Sequence, residues 1–97
     1  MIVHIVMFKF KEENKAINIA RVQAKLNRLE DLIPELKSME VGINFTQSER
    51  AFDLSLYSTF ESEEDLKAYA VHPEHLKVVE VIKSVTLESK VVDYVLE

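Results

Sequence analysis

Apolar positions recur with a period of two at the start of the chain. Ile2, His4, Val6, Phe8 and Phe10 fall on one side, and Val3, Ile5 and Met7 on the other. That alternation, rich in β-branched and aromatic residues, predicts a strand. Both sides are apolar, so both must be covered. After a polar patch from Lys11 to Lys15, Ile19, Val22, Leu26, Leu29, Ile33 and Leu36 recur at spacings of three and four. This is one apolar helical stripe, and Pro34 predicts its end near Leu32. The helix carries bases early and Glu30 and Asp31 late, which opposes the helix dipole, so packing of the stripe must hold it.

Ser38 to Phe45 reads as a second strand, with Gly42 inside it suggesting a bulge or a close backbone approach. A polar turn from Thr46 to Ala51 leads to a third strand, Phe52 to Phe60. Ser62 then stands three residues before Asp65, a capping-box spacing with acids in the first turn of the helix that follows. That helix carries Leu66, Tyr69 and Ala70 and breaks at His72-Pro73, where proline suits the first position of a new helix running through His75, Val78, Val79 and Ile82. A strand from about Leu87 to Leu96 closes the chain.

The predicted order is β-α-β-β-α-β with its second helix in two pieces. This is the ferredoxin-like α+β arrangement, a four-stranded antiparallel sheet with helices on one face. The helices cover one face and leave an apolar one, which is expected to pack against a second copy as a homodimer of two sheets, a dimeric α/β barrel. Length agrees: 97 residues allow a single domain over residues 1–97, and so short a chain buries only roughly 60–65% of its unfolded surface.

Composition narrows the function classes. A net charge of −5 argues against a general nucleic-acid binder and an anionic membrane surface. The chain has no cysteine, which excludes disulfides and thiolate chemistry. Met1 runs into apolar sequence without a basic leader, so no signal peptide is expected. No apolar run approaches the ~20 residues of a membrane span. The expected compartment is the cytoplasm. One glycine cannot build a phosphate loop or a nucleophile elbow.

Candidate chemistry gathers at Tyr69, His72, His75 and His4. Histidine titrates near neutrality and suits proton transfer, and a tyrosine hydroxyl can stabilise an oxyanion. Each also has a structural reading: His72 as a helix cap, His75 bonding locally, His4 as a core histidine, and Tyr69 as a packed ring. Asp93 and Tyr94 read as structural. His72 and His75 lack the H-E-x-x-H pattern, so no metal is expected, and no cofactor.

Four stretches together, Val3–Phe10, Gly42–Asn44 with Ser48–Leu54, Tyr69–His75 and Val92–Tyr94, resemble the stress-responsive α/β-barrel family of small dimeric proteins from bacteria and plants. The resemblance spans essentially the whole chain. It implies a dimeric barrel whose plant polyketide-cyclase member closes an aromatic ring by an aldol-type condensation. Carried over, that implies catalytic roles for Tyr69 and His75 and ligand-binding roles for His4 and His72. The expected ligand is small and partly apolar. The rival readings are a non-catalytic stress or housekeeping protein with structural histidines, and a cofactor-free monooxygenase or haem-degrading barrel.

Overall fold

The computed structural model describes residues 1–97. Seven elements follow in order: β1 (Ile2–Phe10), α1 (Lys15–Leu32), β2 (Ser38–Ile43), β3 (Leu54–Phe60), α2 (Glu63–Ala70), α3 (Pro73–Val85) and β4 (Thr86–Val95). The strands form one antiparallel sheet in the order β2-β3-β1-β4. The ferredoxin-like α+β expectation holds, including the broken second helix.

Strand β1 lies inside the sheet because both its edges are paired. His4 stands opposite Ser58 of β3 and Asp93 of β4. Residues directly opposite in an antiparallel pair share a face, so the register sorts the side chains. Ile2, Val6, Phe8, Leu54, Leu56 and Phe60 face the helices and form the core with Val22, Leu26, Leu29, Ile33, Leu36, Val78 and Ile82. The stripe expected on α1 is therefore the buried one, with Ile19 packed at its margin. No acid lies in the first turn of α1 and no base in its last, so burial of this stripe, rather than the helix dipole, holds the element.

The remaining helices end as their residues dictate. The Ser62 hydroxyl accepts the Asp65 N–H at 3.2 Å and caps α2. His72 has the extended backbone that a following proline requires, and Pro73 opens α3. At the far end of α3, the Thr86 hydroxyl donates to the Ile82 carbonyl at 2.8 Å.

Three features differ from expectation. Strand β2 stops at Ile43, because Asn44 turns the chain: its side-chain amide donates to the Thr46 carbonyl at 2.8 Å. Phe45 is left 93% exposed. Strand β3 starts at Leu54, since Asp53 is bound to the end of β1. The Asp53 N–H donates to the Phe8 carbonyl, and its carboxylate accepts the Phe10 N–H at 2.7 Å. Gly42 is neither a bulge nor a close approach. It pairs regularly with Ser55, and a Cβ added there would meet nothing within 4 Å. The irregularity lies instead where β1 meets β4, between Lys9 and Phe10.

The sheet face away from the helices carries Ile5, Met7, Val92 and Tyr94, with Met7 40%, Val92 52% and Tyr94 41% exposed. This is the uncovered apolar face that the sequence anticipates. No helix is long and apolar enough to cross a membrane.

If the α1 stripe holds the fold, Leu26→Ala should destabilise by about 2–5 kcal/mol. Ile17→Ala, on the exposed side of the same helix, should stay within about 0.5 kcal/mol. Urea denaturation of the two variants compares them directly.

Candidate functional site

The break between α2 and α3 creates the geometry. In one continuous helix, residues 69 and 75 would be rotated about 240° from each other and could not meet. The extended turn at His72 resets the direction. The ring of Tyr69, at the end of α2, therefore lies against that of His75, in the first turn of α3, with centroids 4.3 Å apart. His4 approaches Tyr69 from β1 with centroids 6.4 Å apart, and Phe60 of β3 closes the other side at 5.1 Å.

Hydrogen bonding assigns the ring protons. His75 Nδ1 lies 3.0 Å from the Ala70 carbonyl. A carbonyl only accepts, so Nδ1 carries the proton and neutral His75 presents an unprotonated Nε2. His72 is the reverse: its Nδ1 accepts the Glu74 N–H at 3.1 Å and caps α3. His4 Nδ1 bonds the Asp93 carboxylate, which fixes the orientation of the His4 ring. The Ser58 hydroxyl donates to the His4 carbonyl at 3.0 Å and steadies the same point of β1 from the other edge.

Tyr69 is 1% exposed, and its hydroxyl is buried without a hydrogen-bond partner. Burial pushes its pKa well up, so the phenol stays protonated and remains a donor. Burial pulls the His75 pKa below its usual value of 6.5, against the Ala70 bond, and the nearby His4 and His72 add to the lowering. His75 is accordingly neutral at neutral pH. A proton donor and a proton acceptor thus lie ring to ring.

Of the four residues expected from the sequence, the structure brings His4, Tyr69 and His75 together. His72 is engaged in capping α3. Asp93, read from the sequence as structural, joins the cluster through His4. Its signal in the sequence is an acid set among Val91, Val92, Tyr94 and Val95, but only the β1–β4 register reveals its partner. A cleft of about 280 Å³ opens beside this pair, lined by Ile2, Leu66, Lys67, Asp93, Tyr94 and Val95, with Glu63 at its rim. It exists because α2 and α3 leave β4 uncovered on the helix side, where Val91 is 63% and Val95 58% exposed. Nowhere do three His, Cys, Asp or Glu side chains converge as metal ligands would.

Residues 2–96 match the stress responsive A/B barrel domain. The chain belongs to that family. It is 38% identical over 79 residues to a stress-response A/B barrel domain-containing protein of Arabidopsis thaliana, covering 81% of this chain and 30% of that protein. With 46% of a second such Arabidopsis relative also covered, the chain spans less than half the length of these two relatives. It is 28% identical to olivetolic acid cyclase of Cannabis sativa, over 94% of this chain and 92% of the cyclase. Among solved structures, a dimeric ferredoxin-like protein from Bacteroides fragilis superimposes with a TM-score of 0.88 at 30% identity, over 96% of this chain and 93% of that one. Hydroxynitrile lyase from Passiflora edulis shares the fold with a TM-score of 0.87 at 21% identity, over 99% of this chain and 93% of that one.

Because folding lowers the His75 pKa, the unfolded chain takes up a proton that the folded protein refuses. The stability this contributes is complete above about pH 6.5 and falls as the pH drops towards the folded value. Imidazole NMR should show His75 titrating below 6.5. A His75 resonance titrating above that value would contradict the burial described here.

Proposed function

We propose that this A/B barrel protein binds a small, partly apolar molecule bearing a carbonyl or phenolic oxygen, and transfers a proton on it with His75 and Tyr69. The observation that carries this reading is the Tyr69 hydroxyl, buried without a partner beside a neutral histidine. A buried donor left unpaired costs about 1–3 kcal/mol, and a ligand oxygen at that point would recover it. His75 Nε2 would remove a proton from carbon next to the carbonyl, and the Tyr69 O–H would donate to the oxyanion that develops. His4, oriented by Asp93, supplies a second ring to hold the ligand, and His72, the cap of α3, is the further ligand contact in this reading. The apolar walls of the adjoining cleft suit the rest of the molecule. Similarity to olivetolic acid cyclase supports this chemistry without naming the substrate. The protein acts in the cytoplasm in this reading.

Tyr69→Phe is the decisive variant. It should leave the ligand-free protein as stable as the parent, or more stable by up to about 1–3 kcal/mol, while weakening the binding of 4-hydroxyacetophenone followed by amide NMR shifts. His75→Ala should weaken the same binding. A Tyr69→Phe protein that is less stable, with binding unchanged, would make the tyrosine a packing residue and sink the proposal. Binding that survives with no exchange or turnover of any bound carbonyl compound would favour a non-catalytic binder.

The same reading includes a homodimer. The uncovered sheet face bearing Met7, Val92 and Tyr94 is the contact we propose, supported by the dimeric state of the Bacteroides fragilis neighbour. Light scattering should give twice the chain mass of 11.2 kDa. Val92→Asp, on a side chain half exposed in the single chain, should shift it towards monomer with the helical content retained. A monomer at micromolar concentration before any substitution would overturn the dimer.

A further inference from the structure

A second concave feature lies on the helical side of the molecule, away from both the cluster and the uncovered sheet face. Residues from the second half of α1 and the first turns of α3 enclose a groove of about 200 Å³, lined by Lys25, Arg28, Leu29, Leu32, Lys77 and Val78, with Glu74 at one side. The lining residues of α1 fall at spacings of three and four, as do Glu74, Lys77 and Val78, so one stripe of each helix faces the groove.

The charge of this groove runs against that of the protein. The chain carries 17 acids and 12 bases, yet three of the bases meet here with one carboxylate. That carboxylate, Glu74, is engaged by Lys77 at 3.2 Å. Lys25 and Arg28 have no ion-pair partner within the molecule. Nor do they serve their own helix: the last turn of α1 holds no base, and its acids Glu30 and Asp31 lie where cations would be favourable. Two unpaired cations in a concave site concentrate field on an anion, and the arginine fork suits paired oxygens. The floor is apolar, with Leu29 and Val78 buried and Leu32 42% exposed.

We propose that this groove binds an oxyanion, a phosphate or carboxylate, carried on a short apolar body. The charged group sits between Arg28, Lys25 and Lys77, and the apolar portion covers Leu32. Since Glu74 immediately precedes His75, the groove and the histidine cluster share the first turn of α3 while facing different sides of it.

Amide NMR of the full chain tests this with three probes: inorganic phosphate, hexanoate and 1-hexanol. Phosphate and hexanoate should each give saturable shifts confined to residues 25–32 and 74–78, with hexanoate saturating at the lower concentration. The neutral alcohol should not saturate. Arg28→Gln should weaken hexanoate roughly tenfold or more, in line with loss of a charge-assisted bond. Glu74→Gln should tighten it by removing the competing carboxylate. Neither side chain belongs to the core, so circular dichroism of the variants should match the parent. Shifts spread over all lysines, saturation by hexanol, or unchanged affinity in Arg28→Gln would each overturn the site.

Discussion

Because β1 is hydrogen-bonded along both edges and apolar on both faces, neither side of it can be left to water, and the rest of the molecule is arranged around that demand. One face is met by α1, α2 and α3, whose buried stripes complete a single core with Phe8, Phe10, Leu56 and Phe60. The helices do not extend far enough to cover β4, which is attached to the sheet only through β1. No helix packs on the second face, where Met7, Val92 and Tyr94 stay substantially exposed. A domain of this size has little surplus stability, so an apolar sheet face left open is better explained as a contact surface than as tolerated exposure.

The same shortfall of cover makes room for chemistry. Where the helices stop short of β4, the sheet offers His4 and Asp93 on its helix side, and the end of α2 offers Tyr69 and Leu66. A polar cluster at this seam is partly dry, which shifts the balance of its groups: burial disfavours the charged forms of both His75 and Tyr69. Each is thereby held as its neutral species, the form that the proposed proton transfer uses. Asp93, on the more open strand, stays half exposed while it orients His4.

Much of this is legible in the sequence itself. The period of two in β1, the three-and-four spacing in α1, and the Ser62 and His72-Pro73 punctuation each rest on local physics, and each element appears where they put it. What periodicity does not supply is register. Asn44 and Asp53 still bond each other across β2 and β3, but their side chains are taken up at the Thr46 carbonyl and the Phe10 amide, and only their residue type, common in turns, hints at it. Gly42 shows the converse error, since a glycine inside a strand need not perform a backbone task. Asp93 is hidden as a member of the cluster for the same reason as the strand ends. Its partner is 89 residues away in sequence, and only the antiparallel pairing of β1 with β4 makes them neighbours. Tyr69 and His75 are marked by their motif, but their contact depends on the helix break, which composition signals and geometry completes.

The Tyr69 hydroxyl gives the most direct reason to regard this seam as a site. A phenol ring buried there serves packing no better than phenylalanine would, and Phe60 beside it is such a ring. Retaining an oxygen without a partner in that position costs stability, and no bond within the chain offsets it. The other polar groups of the cluster all have one: His4 has Asp93, His75 has Ala70, and His72 has the Glu74 amide. A network in which every member but one is satisfied, and the exception is the most deeply buried, places its unmet demand at one atom. An O–H needs an acceptor, and in the proposed reading a ligand's carbonyl or phenolic oxygen meets it beside the ring of His75. It is on this unpaired hydroxyl that the proposed ligand reading rests.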